Sequence, residues 1–299
     1  MLFYDRSDGE RVRDLRAFNA ILPYVLRRRS EAAVFFSKDI EVEAAMAYVR
    51  RRNAEPSQET EAETGSPSLR SAERFSLFGL LIAAAARTIA LKPRLNRFVH
   101  ARAIYQRRDI WVSFIVKKAL TEAATEGHAK VRLLPVDDIA TIAERINGGI
   151  EAARSGAPGP DDREFALAHR LPFGKVAITR LFRILDRFNV APARMIRADP
   201  LFTSVYVANL GSIGLDTPYH NLYEWGSASV FMVVGRIFQK ETRRPSGAIE
   251  LRHCVNVKFT VDERIAEGIY FAHAIALFQR LVSKPEALES PPDVSEIEA

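Results

Sequence analysis

Three stretches of this chain predict an α/β fold with a mixed sheet packed by helices. Leu251, His253, Val255, Val257, Phe259 and Val261 alternate with Arg252, Cys254, Asn256, Lys258, Thr260 and Asp262, the period of two that marks a half-buried strand. After Ile265 the period changes. Gly268, Phe271, Ile275, Phe278 and Val282 share one helical face, so the strand feeds a helix through the charged turn Asp262-Glu263-Arg264. Phe75 to Leu91 is Ala-rich and apolar almost all round, which suits a helix buried against a sheet and stopped before Pro93.

The remaining elements follow in chain order. Residues 1–30 are charged with an apolar patch at Phe18, Ile21, Leu22, Tyr24, Val25 and Leu26, and read as an arm with a short helix. Ala32 to Ser37 reads as a strand, and Glu43 to Arg50 as a helix ending in a basic run. Residues 53–73 are rich in Glu, Thr, Ser and Pro without apolar periodicity, the composition of a flexible loop. Ala103 to Gln106 and Ile110 to Val116 read as the strands of a hairpin around Arg107-Arg-Asp109. Val131 to Leu134 is a further strand, and Asp137-Asp138 can cap a helix from Ile139 to Ala153. Within 155–200 a helical insert is expected, its helix Phe173 to Phe188 having Val176, Leu181, Ile184, Leu185 and Phe188 as its apolar side. Thr203 to Ala208 is a strand, and Leu215 to Gly226 an aromatic, polar loop. A long hairpin of Ala228 to Phe238 and Ala248 to Val261 turns at 243–247. The domain is read over 31–288, with 289–299 an acidic, mobile tail.

With 299 residues, 47% hydrophobic and 27% charged, the chain can bury a large core. The formal charge of +6 sits largely in runs such as Arg27-Arg-Arg29 and Arg50-Arg-Arg52. No stacking aromatics interleave with them, so the runs read as solvated or partner-facing surface, then as sites for anions such as a coenzyme A phosphate. Nucleic acid is not an expected partner. The lone Cys254 excludes an internal disulfide and a cysteine-cluster metal site, and fits a reducing compartment. His100, His128 and His169 form no metal spacing with Asp, Glu or Cys, so no metal is expected. The N-terminus lacks a secretory pattern, and the apolar run from Leu77 to Ala86 falls short of the roughly 20 residues a bilayer span needs. A cytoplasmic, soluble protein without a membrane partner is expected.

Residues Asp262-Glu-Arg-Ile-Ala-Glu-Gly268 resemble the Asp-His-Arg-x-x-Asp-Gly signature of the dihydrolipoamide acyltransferase catalytic domain of 2-oxo acid dehydrogenase complexes. Asn209-Leu-Gly211 is similar to that family's Ser-Asn-Leu-Gly segment, Val233 to Ile237 to its next strand, Pro93-Arg-Leu-Asn to its Pro-x-Leu-Asn turn, and Lys284 to Leu288 to its ending. The resemblance implies a coenzyme A-dependent acyltransferase fold, shared with chloramphenicol acetyltransferase. It also implies coenzyme A or acyl-coenzyme A as substrate, and a homotrimer or larger assembly of trimers whose active sites lie between subunits. The resemblance also implies dehydrogenase complex partners, and no lipoyl domain is expected ahead of residue 31.

Two decisive letters differ from the family. Its signature histidine is the general base, and this chain has Glu263 there; its serine donates to the oxyanion, and this chain has Ala208. Imidazole titrates near 6.5 and suits the task, whereas a carboxylate starts about two units lower. Glu263 therefore reads either as a substituted base or as a surface carboxylate paired with Arg264 or another arginine. His220 is the candidate replacement imidazole, with Ala208, Asn209 and Tyr219 in the substrate or oxyanion region. Asp262, Arg264, Glu267 and Gly268 read as the structural part of the motif, Glu267 standing where the family has Asp. Two functions stay open: acyl transfer between coenzyme A and a thiol or hydroxyl acceptor, and an inactive structural homologue of the acyltransferase core.

Overall fold

The computed structural model describes residues 5–55, 75–117, 126–155, 173–244 and 246–292. In chain order the elements are β1 (Gly9–Arg11), α1 (Ala17–Val25), β2 (Ala33–Glu41), α2 (Glu43–Ala54), α3 (Leu77–Leu91), β3 (Arg97–His100), β4 (Ala103–Arg107) and β5 (Ile110–Lys117). There follow β6 (Glu126–Leu133), α4 (Ile139–Ser155), α5 (Gly174–Arg187), α6 (Ala193–Ala198), β7 (Val205–Asn209), β8 (Val230–Arg243), β9 (Ile249–Asp262) and α7 (Gly268–Ser283). A six-stranded sheet has the order β2-β9-β8-β7-β5-β6, antiparallel except where β7 runs parallel to β8 and β5. A small antiparallel sheet, β1-β4-β3, stands apart from it.

The period of two decides which side of the large sheet does what. Val205, Val207, Val230, Met232, Val257, Phe259 and Val261 point into one core shared with α2, α3, α4 and α7. The sequence of α3 explains its place at the centre: every residue from Gly79 to Leu91 is buried, and its N-terminus is capped by Ser76, whose hydroxyl accepts from the Gly79 amide. The alternate residues, Tyr206, Phe231 and Val233, face the other way and form a separate cluster with Leu222 of the loop over 215–226. Helices thus cover one face and a loop covers the other.

Several expectations need correction. Ala103–Arg107 and Ile110–Lys117 are not hairpin partners, because β4 pairs with β1 and β3 while β5 pairs with β6 and β7. The tight turn between them passes the chain from one sheet to the other. The N-terminal arm is stitched down, with Gly9 to Arg11 opposite Arg107 to Tyr105. Alternation along β9 fails as a guide to burial at both ends. Leu251 is 61% exposed beyond the helices, while Thr260 and Asp262, on the polar side, are buried. Arg29 is no solvated member of a basic run but is buried, donating to the carbonyl oxygens of Tyr223 and Val99. The apolar side read for α5 is mostly uncovered, and the helix turns Phe182 inward instead. Of the flexible loop read at 53–73, residues 56–73 lie outside the described residues, as do 293–299 of the tail.

Candidate functional site

The register of the sheet aligns Ser113, Tyr206, Phe231, Thr260 and Phe35 in one row across β5, β7, β8, β9 and β2. A second row carries Ala208, Val233, Lys258 and Ser37. The loop over 215–226 is laid along these rows by contacts that its sequence supplies. Tyr219 meets Phe35 edge-on at 5.5 Å, and the Lys258 ammonium lies 4.3 Å from the centre of the Tyr219 ring. His220 stacks flat on Phe231 with centroids 3.9 Å apart, and its carbonyl accepts from the Thr260 hydroxyl at 2.6 Å. Further on, Glu224 accepts from the amide and hydroxyl of Ser30, and Arg29 holds the Tyr223 carbonyl at 2.9 Å.

His220 is fixed in one tautomer by this arrangement. Its Nδ1 lies 2.7 Å from the Asn221 carbonyl oxygen, which can only accept, so Nδ1 carries the hydrogen. Nε2 is then the free lone pair of the neutral ring, and it accepts from the Tyr223 hydroxyl at 3.4 Å. An imidazole so held can take a proton from a group that displaces the tyrosine hydroxyl.

The turn after β9 is organised differently. Arg264 grips Asp262 with two parallel hydrogen bonds of 2.7 and 2.6 Å, and both side chains are buried. A third guanidinium nitrogen donates to the Leu26 carbonyl, and the Asp262 carboxylate also accepts from the Arg264 amide. Desolvation pushes the buried Arg29 guanidinium below its ordinary pKa, while the nearby Asp262 carboxylate opposes that shift. Glu263 is exposed and, among the described residues, its side chain has no ion pair or hydrogen bond; only its amide is engaged, by the Ala32 carbonyl. The reading of Glu263 as the partner of Arg264 is therefore corrected: the arginine reaches back to Asp262.

Glu267 directly precedes α7 and is exposed, with Arg16 at 3.8 Å its only described ion-pair partner. Gly268 is the first residue of α7, with open space where a side chain would stand. Ala208, half-buried in β7, offers no side-chain donor, and the Asn209 side chain accepts from the Ser212 amide at 3.2 Å. After Asn209 the chain passes so close to β8 that a Cβ on Gly211 would lie 2.3 Å from the Gly235 carbonyl oxygen. Gly235 also lies within the register shift of the β8–β9 ladder, so this bulge and this glycine fix each other.

Sequence reasoning missed Tyr206 and His128, whose hydroxyl and Nδ1 lie 3.0 Å apart, Tyr206 buried with Leu222 of the loop and His128 exposed. Tyr206 stacks on Phe231 at 5.1 Å, so His220, Phe231, Tyr206 and His128 form a continuous run of rings. The signal was the aromatic member of a strand that otherwise reads as valines. His253, on the apolar side of the alternation read for β9, keeps a side chain 45% exposed beside Glu43. Among the described residues no group of three or more His, Cys, Asp or Glu could hold a metal ion.

No protein-family model matches the sequence, and no curated protein matches it. Solved structures do match. A probable dihydrolipoamide acetyltransferase from Listeria monocytogenes superimposes with a TM-score of 0.57 at 14% identity, over 92% of this chain and 95% of that one. The chain has the chloramphenicol acetyltransferase-like fold. Chloramphenicol acetyltransferase itself matches with a TM-score of 0.52 at 12% identity, over 92% of this chain and 98% of that one. The cubic core of a pyruvate dehydrogenase multienzyme complex matches at 0.51 and 12%, over 93% and 94%. At such identities the likeness fixes the fold alone. Within this acyltransferase-like fold, the described residues bring His220 and Tyr219 onto one sheet face with Ala208, and leave Glu263 outside at the end of β9.

Proposed function

We propose that the protein transfers an acyl group from a coenzyme A thioester to a thiol or hydroxyl acceptor, with His220 in place of the signature histidine as general base. The observation that supports this most is the fixed tautomer of His220, its Nδ1 committed to the Asn221 carbonyl and its Nε2 turned to an exchangeable hydroxyl. In the reaction Nε2 takes the acceptor's S–H or O–H proton as the acceptor attacks the thioester carbonyl. The C–S bond then breaks, and the proton passes to the departing thiolate. Such proton transfer contributes typically a hundredfold to ten-thousandfold. Ala208 contributes no side-chain oxyanion donor, and the Tyr223 hydroxyl lies within hydrogen-bond reach of the imidazole. A homotrimer, or a larger assembly of trimers, goes with this reading, and the uncovered apolar face of α1 at Phe18, Ile21, Tyr24 and Val25 suits a contact between copies. The helix bearing that face has no charged residue of its own. We place the protein in the cytoplasm, with Cys254 a buried free thiol.

A second reading, an inactive scaffold of the same fold, is favoured by one observation: Glu263 is exposed and its carboxylate has no described partner. The two separate in one assay. Release of free thiol from a panel of acyl-coenzyme A thioesters, dependent on an added acceptor, supports the enzyme. No release across the panel, with no change in melting temperature on adding coenzyme A, leaves the scaffold.

A further inference from the structure

Helix α5 has two apolar sides, and only one of them is used. Phe182 turns inward, 5.8 Å from Phe202 and 5.2 Å from Trp225, and Trp225 donates from its indole to Asp199. The outward side carries Phe173, Ala177, Leu181, Ile184 and Phe188, which recur every three or four residues and so form one stripe along the helix. Phe173 is 84% exposed, and Leu181 and Ile184 are both more than half exposed. The stripe runs about 22 Å at the rise of an α-helix. Burying an apolar side chain of this size is worth roughly 1.5–3 kcal/mol, so leaving several of them in water has a reason to be sought.

The charges along the stripe say what covers it. Arg180 and Arg187 follow its edge with Arg183 and Lys175 beyond them, and all four are exposed. No described ion pair engages Arg180 or Arg187. The sole acid of the helix, Asp186, is turned inward, where Arg6 stands 2.7 Å away. Two copies meeting through α5 would set these arginines against their own images with no carboxylate to answer them. The charge therefore calls for an anionic occupant, and a convex apolar ridge with a phenylalanine at each end suits a deformable surface better than a rigid groove.

We propose that α5 is an interfacial helix which docks the protein on an anionic lipid surface. The stripe enters the boundary between headgroups and acyl chains, and Arg180 and Arg187 at its edge meet the lipid phosphates, while Arg183 lies over the Trp225 ring. The helix lies on the membrane and does not cross it; among the described residues no helix is long and apolar enough to do so. This inference is independent of the chemistry proposed for His220, because the stripe faces away from the side on which α5 meets Trp225.

The test is sedimentation of the whole chain with vesicles of phosphatidylcholine containing phosphatidylserine, against phosphatidylcholine alone, at low and high salt. The protein is expected to bind the anionic vesicles and to leave them as salt rises. Arg180→Gln with Arg187→Gln should weaken that binding roughly thirtyfold, and Leu181→Ser with Ile184→Ser should abolish it, both variants keeping the melting temperature and thiol-release rate of the parent. Binding to neither vesicle overturns the proposal, as does equal binding to both. Anionic binding that survives the Leu181 and Ile184 changes overturns it too. Should those changes lower the sedimenting mass in the absence of lipid, the stripe is a contact between copies and the proposal falls.

Discussion

The turn at Asp262–Arg264 and the loop over 215–226 flank the same end of β9, yet they are held by opposite means. The turn is bracketed by a buried, two-pronged ion pair, and the one side chain it releases to solvent is Glu263. Among the described residues the loop has no buried pair, its ion pair of Asp216 with Arg236 being exposed. It is laid down by ring stacking on Phe231 and Phe35 and by side chains that seize its carbonyls, Thr260 that of His220 and Arg29 that of Tyr223. The first arrangement keeps a backbone in shape whatever residue stands between its two ends. The second fixes the orientation of a particular ring. Asp262 and Arg264 thus answer to folding, and a change of the residue between them costs the fold little, while a change at His220 would cost whatever that ring does.

The largest effect should come from breaking the ion pair. Arg264→Met leaves the buried Asp262 without its hydrogen-bonded partner, with only the charge of nearby Arg29 to offset it, which costs about 3–5 kcal/mol. Denaturant unfolding should show that loss, and Asp262→Leu combined with Arg264→Met should recover much of it. A loss no larger than that of a surface substitution would remove the distinction between turn and loop. Next in size is Gly211→Ala. Its Cβ meets the Gly235 carbonyl, so the β8 bulge must shift, at about 1–3 kcal/mol. Because that bulge adjoins Thr217 at the start of the loop, thiol release should fall along with stability; an unchanged melting temperature would show that the close approach is not rigid.

An effect that shows only as pH is varied concerns Lys130, which flanks Ser113 in the same cross-sheet row. Desolvation, with Arg107 repelling it, brings its pKa down to about 7. Its ammonium nitrogen donates to the carbonyls of Ile196 and Asp199 at 2.8 and 2.9 Å. The unfolded chain holds this proton up to about pH 10.4, so between about pH 7 and 10 it binds more protons than the native state. The site accordingly lowers stability at and below neutral pH, and that penalty fades as pH rises toward 10. Relative to Lys130→Met, the parent should gain stability steadily as pH rises from about 7 to 10; a difference independent of pH would contradict the burial of the charge.

The fold was legible because its main signals are periodic. The period of two in β9, its change to a helical period after Ile265, and the all-round apolar run of α3 each map to one element. What resisted was set by contacts distant in sequence. Nothing local to Arg29 marks it as buried, since its partners Tyr223 and Val99 lie 194 and 70 residues away. Nothing local separates Ala103–Arg107 from a hairpin with its neighbour, because strand pairing across two sheets depends on β1 and β7. In the candidate site the motif letters located the turn, but the pairing of Arg264 with Asp262 and not Glu263 needed geometry. His220 was singled out as a loop imidazole, whereas its tautomer depends on the backbone of Asn221.

One measurement bears most directly on the claim that the proton acceptor lies in the loop and not in the turn: acceptor-dependent thiol release by His220→Gln and Glu263→Gln, each checked for an unchanged melting temperature. The account predicts a loss of a hundredfold or more for the first and a rate close to the parent's for the second. The reverse result, with the glutamate essential and the histidine dispensable, would contradict it.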